Sequence, residues 1–109
     1  MKLWVDDVRP APEGYVWCKS VNEAIKAIIK EEHFYYDPFD NYHPWNIIEF
    51  IDLDYDSGDY EKDGGPYIKL MDWLVERGTL YPLAFHSQNC VGMEYMKRMY
   101  RRYWLGESL

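Results

Sequence analysis

Apolar and polar positions fall into short blocks whose spacing alternates between the strand period and the helix period. Leu3-Trp4-Val5 is an apolar run ending in Asp6-Asp7, and the Arg9-Pro10-Ala11-Pro12-Glu13-Gly14 segment after it cannot continue regular structure, so a strand and then a loop are predicted. Tyr15-Val16-Trp17-Cys18 is a second β-favouring run. Ser20-Val21-Asn22-Glu23 follows with the S-x-x-E spacing of a capping box, which starts a helix. From there Ala24, Ile25, Ala27, Ile28 and Ile29 make one apolar stripe, with Glu23, Lys26, Lys30 and Glu31 turned to water, as in an amphipathic helix packed on a sheet. Residues 33–46 hold six aromatics, two His and two Pro without any period, and read as a loop lying over the fold.

Ile47 to Leu53 is the strongest strand signal, near-continuously apolar as expected of a central strand covered on both faces. The polar stretch Asp54 to Pro66 reads as a loop. Tyr67, Leu70, Met71, Leu74 and Val75 then give helical spacing until Gly78 stops it. Pro82-Leu83-Ala84-Phe85 is a short fourth strand, and Met93, Met96, Tyr100 and Tyr103 stripe a last helix, packed on the sheet or, alternatively, forming a homodimer face. Strands alternating with helices predict one domain over residues 1–109, an α/β fold with three layers around an open, mostly parallel sheet of about four strands. The direction of the second strand stays open, because the loop 9–14 is shorter than the dozen or so residues of an ordinary parallel crossover.

Composition narrows the function classes. A chain of 109 residues has room for one core, and an apolar share of 48% with 18% aromatics excludes an intrinsically disordered segment. The net charge of −7 disfavours a sequence-independent grip on long duplex nucleic acid. The charge is uneven: residues 1–89 carry 8 basic and 17 acidic side chains, net −9, whereas residues 90–109 are net +2 through Lys97, Arg98, Arg101 and Arg102. Cys18 and Cys90 are the only cysteines, read as buried packing, and no signal segment opens the chain, so a reducing cytoplasm is expected. No apolar run approaches the 18 or so residues of a membrane span.

In an open α/β sheet, ligands bind at the carboxyl ends of the strands. Strand one ends in Asp6 and Asp7, the central strand in Asp52 to Asp56, and strand four in His86, Ser87 and Asn89. Three polar clusters thus converge on one edge, which is the main functional signal. Clustered carboxylates repel one another unless a divalent cation joins them, and Mg²⁺ prefers oxygen donors. Asp6, Asp7 and Asp54 are the candidate ligands, with Asp56 beside them and Asp52 as the register alternative. The spacing of Asp52, Asp54, Asp56 and Asp63 resembles a calcium loop. Gly58 falls one place late for it, and a strand precedes where that motif has a helix.

The acidic pair after strand one, the Asp ending the third strand and the Ser at the end of the fourth resemble a response-regulator receiver domain. Two departures stand against phosphorelay: the loop 9–14 replaces the first helix, and no fifth strand follows to bring the receiver lysine. The closer resemblance is to the receiver-derived cyclic-phosphate processing receiver domains. It rests on Leu3-Trp4-Val5-Asp6-Asp7-Val8-Arg9-Pro10-Ala11-Pro12, on Leu53-Asp54-Tyr55-Asp56 and on His86-Ser87-Gln88-Asn89-Cys90-Val91-Gly92-Met93.

That resemblance implies a cyclic phosphate as substrate, in a nucleotide or at an RNA end, and a metal-dependent phosphoesterase as activity. Under it, Arg9 would fork onto phosphate oxygens. His86 would protonate the leaving alkoxide. Ser87 and Asn89 would donate to a phosphoryl oxygen or cap the last helix. Asp54 and Ser87 join His86 in the catalytic set, Ser87 as a donor and not as a nucleophile, since no base can be assigned to it. Trp4, Trp17 and Trp73 are expected in the core or on helix faces. The alternative reading is a non-catalytic, degenerate receiver that binds a nucleotide or a partner protein.

Overall fold

The computed structural model describes residues 1–34 and 47–107. Strand β1 (Lys2–Val5) lies between β2 (Tyr15–Cys18) and β3 (Phe50–Leu53), and β4 (Leu83–Phe85) closes the far edge, giving a sheet of order β2-β1-β3-β4. All three pairings are parallel, with Trp4 level with Trp17 and Asp52, and Asp52 level with Ala84. The direction of β2 is therefore settled. Four-residue strands are only about 13 Å long, and nine extended residues span about 30 Å, so the link 6–14 returns along the sheet without a helix.

Helix α1 (Val21–Phe34) starts at the expected cap: Ser20 Oγ accepts from the backbone N–H of Glu23 at 3.0 Å, and the Glu23 carboxylate reaches back to the N–H of Lys19 at 2.6 Å. It runs through His33 and Phe34, the first two residues of the segment read as a loop over 33–46; the rest of that segment lies outside the described residues. Helix α2 (Ile68–Arg77) ends at Gly78 in the left-handed region, φ 73°. Helix α3 (Cys90–Tyr103) carries the basic C-terminal residues.

The strands bury alternate residues. Leu3, Val5, Ile51 and Leu53 are fully buried against Val21, Ala24 and Ile28 of α1, Leu70, Met71 and Leu74 of α2, and Met96 of α3. Their neighbours Lys2, Trp4, Phe50 and Asp52 are half-buried on the other face. The described residues thus form two layers, with all three helices on one face, rather than the expected three, and β3 is covered by helices on one side only. Its apolar run looked two-sided because Ile47 and Ile48, which are buried, precede the strand instead of belonging to it.

Aromatic rings dress the helix-free face: Tyr15 packs edge-on against Trp4 and Phe50, with centroids 6.0 and 5.6 Å apart. Trp4 and Trp17 therefore sit on this face and not in the helical core. On α2, the ring of Trp73 is covered by the Arg77 guanidinium. Tyr103 is 43% exposed, whereas Met96 and Tyr100 of the same stripe pack inward. Cys18 is buried, and burial pushes its thiol up to about 12; Cys90, expected in the interior, is exposed. Buried Glu32 takes Arg77 at 2.7 Å and the Tyr81 hydroxyl, tying the end of α1 to the α2–β4 connection.

Candidate functional site at the strand ends

Parallel strands of matched register end at one level, so the residues that follow them meet. The backbone N–H of Asp54 donates to the Val5 carbonyl at 2.9 Å, and that of His86 to the Leu53 carbonyl at 2.8 Å, which extends the ladder one step beyond β1, β3 and β4. Asp6, Asp54 and His86 leave that ladder side by side. Asp6, Asp7 and Asp54 each present a carboxylate oxygen within 4.8 Å of the others.

Asp6 is 1% exposed and fully partnered. Its Oδ1 accepts from the N–H groups of Val8 (2.8 Å) and Arg9 (2.9 Å), and its Oδ2 from His86 Nε2 (2.8 Å). Burial alone would raise its pKa, but those donors together hold it below the ordinary carboxylate value. Asp7 goes the other way. Burial pushes its pKa up, and the charges of Asp6 and Asp54 push it further. Asp7 also lies against Gly58, where an added Cβ would come 2.2 Å from Asp7 Oδ2. Asp54 Oδ1 accepts from the N–H of Tyr55.

His86 bridges two acids: Nδ1 lies 2.6 Å from Asp52 Oδ1, while Nε2 meets Asp6. Where both carboxylates are ionised and so only accept, both ring nitrogens donate, which is the arrangement of an imidazolium. Burial lowers its pKa, yet the bonds and charges of Asp52 and Asp6 outweigh that and leave it raised. Trp4 stacks on the imidazolium, centroids 3.7 Å apart and planes 8° apart. The two indoles also hold the acidic loop, Trp17 Nε1 donating to the Asp6 carbonyl (2.7 Å) and Trp4 Nε1 to the Arg9 carbonyl (2.9 Å).

Other expected residues sit at the same edge with different partners. Asp56 is exposed and lies outside the carboxylate cluster; Asn89 Nδ2 donates to it at 3.3 Å. Asn89 also caps α3, its Oδ1 accepting from the Gly92 N–H, and Ser87 Oγ accepts from the Asn89 N–H. The Arg9 side chain is exposed and makes no hydrogen bond or ion pair among the described residues. Asp63, twelfth position of the calcium-loop spacing, is bonded to Ser20 and Asn22 at the start of α1, which removes that motif. Asp52, read from sequence only as an alternative ligand, is the partner of His86. An acid inside an otherwise apolar strand is the signal for it, since a half-buried carboxylate needs a donor. The role of Trp4 had no signal in the sequence beyond its place in β1.

The donor set suits a hard divalent cation: three oxygen donors, one of which, Asp7, has its pKa raised by burial and by the charges of Asp6 and Asp54. Among the described residues no helix is long and apolar enough to cross a membrane. Residues 1–102 match the family model described as the Cyclic-phosphate processing Receiver domain. No curated protein and no solved structure matches the chain.

Proposed function

We propose that the chain, which belongs to the cyclic-phosphate processing receiver domain family, is a metal-dependent phosphoesterase that opens a cyclic phosphate in a nucleotide or at an RNA end. The observation that carries this reading is the strand-end cluster, three carboxylates within 4.8 Å beside the His86 ring that Asp52 holds through Nδ1. Asp6, Asp7 and Asp54 are the proposed ligands of Mg²⁺ or a similar ion. When bound, such a cation offsets the substrate's negative charge and polarises its P–O bonds.

The reaction is hydrolysis: water adds to phosphorus and gives up one proton to solvent, one P–O ester bond of the ring breaks, and the leaving alkoxide takes a proton from His86, giving a phosphomonoester. His86 is the proposed proton donor. Its raised pKa keeps it in the charged state from which a general acid starts. Asp52 on Nδ1 fixes the ring so that Nε2–H points to the carboxylate side, and transfer requires the Asp6 contact to open. Arg9, exposed two residues beyond the acidic pair, is the proposed clamp on phosphoryl oxygens. Ser87 accepts through Oγ and keeps its hydroxyl proton to donate, and Asn89 keeps one N–H of its amide.

The test is turnover of a 2′,3′-cyclic nucleotide followed by phosphorus NMR, with Mg²⁺ or with EDTA. Turnover should require the metal and vanish in Asp54→Asn. His86→Ala should lose about 10²–10⁴-fold and also the decline of rate at high pH that a general acid imposes. Ligand binding without turnover, unchanged by EDTA, would overturn the reading in favour of a binding module.

A further inference from the structure

The outward face of α3 carries a surface that the reaction above leaves unused. Val91, Tyr95, Arg98 and Arg102 recur at i, i+4, i+7 and i+11 and so form one stripe. It faces away from Gly92 and Met96, the residues of α3 that are buried. Val91 is 83% exposed and Tyr95 59%, unusual solvent exposure for large apolar groups, and both precede the two arginines on the stripe. Two shallow grooves follow the stripe, one bordered by Tyr95, Arg98, Arg102 and Tyr103, the other by Val91, Tyr95 and Arg98. The Arg102 guanidinium lies 5.3 Å from the Tyr103 ring centroid. Glu94 and Asp72 are the acids beside the grooves, and Arg101, off the stripe, pairs with Glu107 at 4.0 Å. The stripe begins next to Asn89, which reaches Asp56 at the strand-end edge, and the 14-residue helix leads about 21 Å away from it.

We propose that this stripe is a track for single-stranded RNA, which leads a terminal cyclic phosphate to the carboxylate cluster; the inference rests on the reaction proposed above and selects an RNA end over a free nucleotide. Arginines meet the phosphates and the exposed tyrosines offer faces for bases, the pairing of groups that holds single strands without reading sequence. The acidic remainder, net −9 over residues 1–89, repels the chain elsewhere and confines it to this helix. An acidic protein would match the charges, but it has no use for the rings of Tyr95 and Tyr103 on either side of the two arginines, and nothing would place it at the mouth of the site.

Fluorescence anisotropy tests the track with a labelled single-stranded RNA of about twelve nucleotides ending in a 3′-hydroxyl, so that binding is read without turnover. Arg98→Ala/Arg102→Ala should weaken binding at least tenfold and reduce the log–log salt slope by about 1.4, roughly 0.7 for each lost phosphate contact on a single strand. Tyr95→Ala should weaken RNA but not polyglutamate. Hydrolysis of a cyclic mononucleotide should stay within about twofold in all three proteins, which also shows that the variants fold. RNA affinity unchanged in the double arginine variant would overturn the proposal, as would polyglutamate binding as tightly as RNA. RNA binding that depends on the stripe, in a protein that turns over no cyclic mononucleotide, would leave the track standing and defeat the reaction instead.

Discussion

Asp6 remains ionised at 1% exposure because both of its oxygens are met by donors that the fold itself brings: two turn N–H groups and the Nε2–H of His86. A buried ion pair adds little over an apolar substitute, but removing one partner leaves an uncompensated charge and costs about 3 kcal/mol. His86→Gln should therefore lower Tm substantially. The pH dependence of the loss follows from the shifts. The pKa of His86 is raised on folding, so its contribution is full below the ordinary histidine value of 6.5 and disappears as pH climbs through the raised value. The pKa of Asp6 is lowered, so its contribution is full above the ordinary carboxylate value of 3.8 and is lost as pH falls through the lowered value. Asp7, raised instead, favours the fold while protonated and softens that acid limb. Calorimetry across pH should show stability falling on both sides of a plateau in the native chain, and His86→Gln should abolish the alkaline fall. Parallel curves for the two proteins would contradict the imidazolium assignment.

Two close approaches decide how the loops and α3 sit. On α3, a Cβ at Gly92 would lie 2.3 Å from Cγ of Tyr55, so the first turn of the helix seats directly on that ring. Gly92→Ala should cost about 1–3 kcal/mol in urea unfolding, even though alanine suits a helix interior better than glycine. At Gly58 the obstacle is functional: φ is +54° and the added Cβ would displace the Asp7 carboxylate. Gly58→Ala should therefore diminish the Tm rise produced by Mg²⁺ by more than it diminishes Tm without metal. Much at this scale was legible in the sequence, because the cause was local. The S-x-x-E box starts α1, Gly78 ends α2, and the acids after β1 and β3 fall at one edge whatever the details of packing. What was not legible depends on pairing across the sheet. Asp52 looked like one more strand-end acid until the register set its side chain under His86. Glu32 gave no warning that it would be buried under Arg77 and Tyr81. The apolar run 47–53 could not reveal that only its last four residues join the sheet, nor that all three helices choose one face.

The described residues extend 44 × 34 × 25 Å, while the Debye length is about 30 Å at 0.01 M salt and about 8 Å at 0.15 M. At low salt, then, the net charge of −7 acts across most of the molecule, and the carboxylate cluster adds a local repulsion that screening relieves only partly. Sodium chloride and a site-bound cation should stabilise the protein in different ways. Raising NaCl from about 0.01 to 0.15 M should raise Tm gradually and without saturation, in the native chain and in Asp7→Asn alike. Mg²⁺ should raise Tm further and saturably, by about 2.7 kcal/mol of stability at a hundred times its dissociation constant. In Asp7→Asn that increment should shrink, while Tm without metal holds or rises, since one of three repelling charges has gone. The comparison is made by thermal unfolding at matched ionic strength. If MgCl₂ and NaCl then shift the native protein equally, the cluster acts only as diffuse charge, and the metal step of the proposed hydrolysis has no place to occur.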